Sequence, residues 1–315
     1  MSDDAAKRKL FELLAAQARP VERDGANQAF AASLVRLYPH GTKRPFFCVH
    51  PGPGTVGCFA EVAPLVDPDR PFLALQAPGV DGECDPIEDL GTLAHGYVEE
   101  IRRVQPRGPY LIGGWSLGGA IAFQMAHELR RLGEEVALLV LFDVQRAEAL
   151  HAANLTRDEA LEITYRQFGL ATAHLARQRG VEIDVDEVIA RIRRDRARSM
   201  MSRLGVMTSI LVERGLYPGE TSPVLRVFRA NLRALGDHAM PAEPYDGKLI
   251  LFRARNEVLG PGFDRVDATY CWSQITTQPV EVVPIPGHHF AMFHGDVLPE
   301  TARQLRRCLD AADRA

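Results

Sequence analysis

From residue 45 onward, apolar positions fall into two kinds of run that alternate along the chain. Short continuous stretches are separated by longer amphipathic ones, the pattern of a mostly parallel sheet flanked by helices. It predicts strands at Phe46–Val49, Phe72–Gln76, Tyr110–Gly114, Val136–Asp143, Lys248–Arg253 and Val280–Pro284. Helices are predicted over Glu88–Gln105, Leu117–Leu132 and Val297–Leu309, the last carrying Leu298, Ala302, Leu305 and Leu309 at helical spacing. Further upstream, Leu10, Leu13 and Leu14 share one stripe between Lys7 and Gln17, and a polar, breaker-rich stretch follows from Arg19 to Asn27. The chain thus divides into an N-terminal helix and linker, residues 1–40, and one large α/β domain, residues 41–315. Between the fourth and fifth predicted strands lie roughly a hundred residues, His151 to Asp246, with helical patterns and no strand, far beyond an ordinary connection. An insertion at a strand's carboxyl end sits where open α/β sheets bind ligands. The segment at about 151–240 therefore reads as a helical lid.

Composition narrows the function classes. The 37 basic and 41 acidic side chains nearly cancel, so no global field favours nucleic acid or an anionic membrane. The N-terminus lacks the apolar core and small-residue cleavage site of a secretory signal, and no run approaches the roughly 18 apolar residues of a membrane span. The expected location is the cytoplasm. Five scattered cysteines without a C-x-x-C pair argue against a disulfide framework or a zinc site. No metal or other cofactor is expected.

The predicted strand at Tyr110 runs into Gly114-Trp115-Ser116-Leu117-Gly118-Gly119 and then into a helix. A strand, a G-x-S-x-G turn and a helix in that order form the nucleophile elbow of an α/β-hydrolase fold. The glycines are needed because side chains at Gly114 or Gly118 would meet the neighbouring strand or helix, while the serine is pushed out above the sheet. The Leu117 amide then opens a helix and faces a developing oxyanion.

In this fold the remaining partners follow in the order acid, then histidine, each after a later strand. The apolar run from Val136 ends on Asp143, where a carboxylate is poorly explained by packing. The strand at Val280 leads through Gly287 to His288 and His289, and position alone leaves both open as the base. His50 precedes the serine and is on the wrong element, and His294 reads as ordinary surface. After the first strand, His50-Pro51-Gly52-Pro53-Gly54 lies where such hydrolases place a second oxyanion donor. Pro53 has no N–H, so Gly52 is the first choice and Gly54 the second.

These segments resemble the thioesterases of polyketide synthase and nonribosomal peptide synthetase systems. The matching residues are Phe47-Cys-Val-His-Pro-Gly-Pro-Gly, Gly113-Gly-Trp-Ser-Leu-Gly-Gly, Leu139-Val-Leu-Phe-Asp143, Tyr245-Asp-Gly-Lys-Leu-Ile-Leu-Phe-Arg-Ala and Pro286-Gly-His-His-Phe. The resemblance selects His289 as the base and leaves His288 where an aspartate is more common. It also implies the acid at Asp143, an oxyanion donor at Gly52, and a substrate held as a thioester on the phosphopantetheine arm of an acyl or peptidyl carrier protein. Release by hydrolysis or by macrocyclisation fits that chemistry.

The competing readings are a carboxylesterase or lipase-like enzyme acting on small oxygen esters with the same triad, and a noncatalytic carrier-binding module. The basic run Arg191 to Arg203 in the lid invites a steering role toward an acidic carrier, although such runs are more often solvated faces. Tyr165, Phe168, Met200, Met201 and Met207 are expected mainly to pack lid helices onto the core. Because elbow, base and donors are all expected from the core sheet and its short loops, loosening the lid is expected to alter the choice of acceptor more than acylation.

Overall fold

The strands form where the apolar runs predicted them, because strands covered by helices on both faces have no polar side to show. The computed structural model describes residues 29–314 except 31, 178, 198, 218–221, 239, 260 and 261. The helix expected between Lys7 and Gln17 lies outside the described residues. Seven strands, β1 (Leu34–Tyr38), β2 (Phe46–Val49), β3 (Phe72–Leu75), β4 (Tyr110–Trp115), β5 (Val136–Phe142), β6 (Leu249–Ala254) and β7 (Glu281–Ile285), make one sheet in the order β1-β3-β2-β4-β5-β6-β7. All neighbouring pairs are parallel except β1 with β3, which is antiparallel.

β1 joins the sheet from the stretch read as linker. The sheet starts at Leu34, ahead of residue 41, where the large domain was expected to begin. The run Leu-Val-Arg-Leu-Tyr is only partly buried and carries an exposed Arg36, so it lacks the continuous apolar stretch of the inner strands. An edge strand needs no more than that.

Alternate side chains feed two cores. Phe47, Val49, Leu73, Ile112 and Leu141 pack with helices α2 (Leu90–Val104) and α3 (Leu117–Arg131). Phe46, Cys48, Phe72, Leu111 and Phe142 pack on the other face with the short α1 (Ala63–Val66) and the C-terminal α9 (Leu298–Asp313). The end of α9 is also tied to the start of β2 and to Arg70, through Lys43 with Asp310 (3.0 Å), Arg44 with Asp313 (2.9 Å) and Arg70 with Asp313 (2.5 Å).

Among the described residues the insertion forms a lid of five helices: α4 (Ala147–Ala152), α5 (Arg157–Arg177), α6 (Val185–Arg194), α7 (Met200–Glu213) and α8 (Pro223–Asp237). It has a core of its own in which Val188, Ile192, Met207, Leu211 and Phe228 meet, with Tyr165 and Phe168 packed against it. Met201 faces solvent instead. The first arginines of the basic run are paired locally: Arg191 with Glu213 (2.9 Å) and Asp195, Arg193 with Glu162, and Arg194 with Asp195. All five cysteines are free thiols, four of them buried. Among the described residues no helix is long and apolar enough to cross a membrane.

Candidate active site

Ser116 stands between β4 and α3 at φ 57° and ψ −127°, a conformation that costs a non-glycine residue about 1–3 kcal/mol. The turn is tight enough to enforce it. A Cβ at Gly114 would lie 2.1 Å from the Gly118 carbonyl oxygen, and one at Gly118 would lie 2.2 Å from the His50 carbonyl oxygen. Both obstacles are backbone and cannot swing aside. Ser116 N–H donates to Phe142 O at 3.1 Å, which ties the elbow to β5. Leu117 is the first residue of α3, so its amide has no intrahelical acceptor.

The next two strands end in the same left-handed way, with Asp143 at φ 49° after β5 and Asn256 at φ 53° after β6. Asp143 is buried and its two oxygens are fully engaged. Oδ1 accepts from Ala254 N–H (3.0 Å) and Tyr270 O–H (3.1 Å), and Oδ2 accepts from Asn256 Nδ2 (2.9 Å) and faces His289 Nδ1 at 2.9 Å. Burial, with the nearby Asp143 charge, pushes the Tyr270 hydroxyl pKa well up, so it remains a donor. With Nδ1–H directed at Asp143, a neutral His289 ring leaves Nε2 as its acceptor. The ring is held from the side by Trp115, at 5.4 Å between centroids, and by Phe290 at 4.7 Å. Among the described residues no hydrogen bond yet joins the Ser116 hydroxyl to that ring, a contact that commonly tightens only when substrate arrives.

Asn256 was not singled out in the sequence. Its Nδ2 reaches Asp143 while its Oδ1 accepts His289 N–H at 2.8 Å, so one side chain fixes acid and histidine together. The signal was its place directly beyond a strand, as for Ser116 and Asp143. Asparagine is so common in turns that this place did not stand out.

The other histidines separate by environment. His288 Nδ1 accepts from Phe290 N–H at 3.2 Å and caps the turn bearing His289, and burial lowers its pKa. His50 is fully buried, with Nδ1 2.8 Å from Pro51 O and Nε2 2.9 Å from Tyr97 O–H. Burial depresses its pKa to about 4, so it is neutral; with Nδ1–H donating to Pro51 O, its Nε2 faces the Tyr97 hydroxyl, which also donates to Gln76 O at 3.1 Å. Its place is in the scaffold of the Gly52 loop. His294 departs from the surface role expected of it: its ring lies 5.2 Å from His174 of the lid, which in turn meets Trp115 and Phe290. Of the two glycines in that loop, Gly54 N–H is already engaged by Pro51 O at 2.9 Å. This favours Gly52 as the donor.

A mostly parallel sheet with an elbow serine at one strand end, a carboxylate at the next and a histidine bonded to it, beneath a helical insertion, defines the α/β-hydrolase class. A family model described as "Thioesterase domain" matches residues 44–309, and the chain belongs to that family. It is 37% identical over 145 residues, 46% of its length, to a dimodular nonribosomal peptide synthase of Bacillus subtilis (strain 168), of which it spans 6%. Against the chondramide synthase cmdD of Chondromyces crocatus it is 30% identical over 294 residues, covering 91% of this chain and 7% of that one. The chain thus corresponds to a small part of these relatives. Among solved structures, the NocB thioesterase domain in covalent complex with a fluorophosphonate nocardicin G analog superimposes with a TM-score of 0.59 at 26% identity, covering 88% of this chain and 99% of the other. The Vlm2 thioesterase domain bound with a dodecadepsipeptide shares the fold, with a TM-score of 0.58 at 23% identity over 88% of this chain and 97% of that domain.

Proposed function

We propose that this chain releases an acyl or peptidyl product from the phosphopantetheine arm of a carrier protein, in nonribosomal peptide or polyketide biosynthesis, through an acyl-enzyme on Ser116. His289 Nε2 takes the serine proton as Oγ attacks the thioester carbonyl, and Asp143 stabilises the imidazolium that forms. The oxyanion is held by the Leu117 and Gly52 amides. Collapse of the tetrahedral intermediate breaks the C–S bond, and the thiolate leaves with the proton from His289. Water, or a hydroxyl or amine of the chain itself, then enters with His289 again as base, giving a free acid or a cyclic product.

The observation that carries the proposal is the bond from His289 to a buried, fully engaged Asp143, at the strand end beside an elbow serine held in a strained conformation. The relatives support the substrate class, since they are synthetases that build peptides on carriers. The lid lies over the same strand ends, where it can exclude water from the acyl-enzyme.

The test uses a carrier protein loaded with an acyl chain. The wild type should release it and show an acyl-enzyme by intact mass, and Ser116→Ala should do neither while melting at the same temperature. Turnover by Ser116→Ala near the wild-type rate would remove the proposal. A preference for nitrophenyl esters over thioesters of the same acyl group would move the chain to the esterase reading.

A further inference from the structure

The oxyanion loop is held from two sides. From the core, Pro51 O accepts from His50 Nδ1 (2.8 Å) and Gly54 N–H (2.9 Å), and Gly54 O accepts from Ala77 N–H (2.9 Å). Pro51 C=O and Gly52 N–H share one trans peptide plane and point in opposite directions, so fixing that carbonyl aims the amide. The next plane, between Gly52 and Pro53, is held by the lid. Asn231 of α8, 1% exposed, donates from Nδ2 to Gly52 O at 2.8 Å.

The same helix closes the space around the glycines. A Cβ on Gly52 would lie 2.6 Å from Phe228 Cε2, and one on Gly54 would lie 2.5 Å from Val227 Cγ1. Val227, Phe228 and Asn231 share the face of α8 that presses on this loop. Gly52 has the freest backbone of any residue type, and without these neighbours only the plane on its N-terminal side would be fixed.

We infer that Asn231 is a positioning residue for the oxyanion hole: the core orients the plane that carries the Gly52 N–H, α8 holds the far side of Gly52, and the donor loop is fully set only when the lid helix is seated. The inference rests on the thioesterase reading above. It revises the expectation that acylation depends on the core alone, because one of the groups that set the donor loop belongs to the insertion. A buried side-chain amide that donates to a carbonyl of another element, across 179 positions of sequence, is poorly explained as a cap of its own helix.

The experiment replaces Asn231 by leucine, which keeps the bulk and removes the donor. The readouts are the single-turnover rate at which a short soluble acyl thioester acylates Ser116, KM, the pH profile of kcat/KM and the melting temperature. Acylation should slow by about 10- to 100-fold, below the roughly 10²–10³ lost when an oxyanion donor is removed outright. KM should stay within about twofold and the acid limb of the profile should not move, since binding and the His289 base are untouched. Arg226→Ala supplies the control. Arg226 lies on the same helix as Asn231 and makes an exposed contact to Asp85 of the core, so its loss should leave acylation close to the wild-type rate.

Acylation by Asn231→Leu within about twofold of wild type would overturn the inference, as would an equal loss in Arg226→Ala, which would mark general lid loosening. Should the leucine variant fail to fold, Asn231→Ala, which only deletes atoms, carries the same test. Failure of the underlying reading looks different. A wild type that neither forms the acyl-enzyme nor turns over sinks the thioesterase reading and the inference with it, whereas a normal wild type beside a normal Asn231→Leu sinks only the inference.

Discussion

Asp143 and His289 meet within a set of bonds in which each partner has one role. Asp143→Asn keeps the shape but offers an amide N–H₂ or a weaker carbonyl to His289 Nδ1, which favours the wrong tautomer. The expected loss in kcat is about 10⁴-fold, as for the equivalent change in a serine protease, with the melting temperature little altered. His289→Ala should be as severe as Ser116→Ala, and His288→Ala mild, because triad members act as a unit while His288 only caps a turn. A loss under about tenfold in Asp143→Asn would show that another group orients the ring. At this scale much could be read from the chain, since strand-then-loop order points to Ser116, Asp143 and the His288-His289 pair, within which the family resemblance selects His289. Asn256 and Asn231 could not be read. Their meaning comes from what faces them across the fold, at 111 and more positions of sequence separation in the bonds around Asp143 and 179 in the bond to Gly52.

The inner strands were the most legible elements, although the edge strand β7, as partly exposed as β1, was also found. The inner strands are continuous apolar runs and appear within about two residues of where the pattern puts them, within the usual uncertainty of element ends. β1 escaped because the exposed Arg36 interrupts its short apolar run. The lid was legible as an over-long helical connection, but the pairing of several of its arginines was not, since Glu162, Glu187 and Glu213 lie on neighbouring helices. The elbow and the lid also differ in their tolerance of a methyl group. Gly118→Ala drives a Cβ to 2.2 Å from His50 O and 2.6 Å from Val49 O and should abolish acylation or soluble expression. Gly205→Ala, inside α7 with nothing within 4 Å of the added carbon, should instead stabilise by about 0.5–1 kcal/mol through helix propensity. Thermal melts of the two variants check both. A well-folded, fully active Gly118→Ala would refute the steric account of the elbow.

For the molecule as a whole, the buried histidines set a direction for acid stability. Burial holds His50 down to about 4 and, with like charge from His294, His289, Arg177 and His288, holds His174 down to about 3, against an ordinary value of 6.5. The unfolded chain takes up these protons from about 6.5 downward and the folded chain does not until near 4 and 3. The stability they contribute is therefore complete above 6.5 and lost as pH falls toward 4, by an order of a few kcal/mol in all. His174→Phe should flatten the fall of melting temperature between those values. An unchanged slope would take His174 out of the account.

The ring stack that joins lid to sheet also makes the protein its own optical probe. The chain has two tryptophans. Trp272 is sealed in the core with Nε1 donating to Val144 O at 2.7 Å, but Trp115 has lid His174 5.9 Å from its ring. Lifting α5 exchanges that imidazole for water, and an indole newly exposed to water emits at longer wavelength. Intrinsic fluorescence, read against a Trp272→Phe background, would therefore follow lid opening in real time without a label or a substrate.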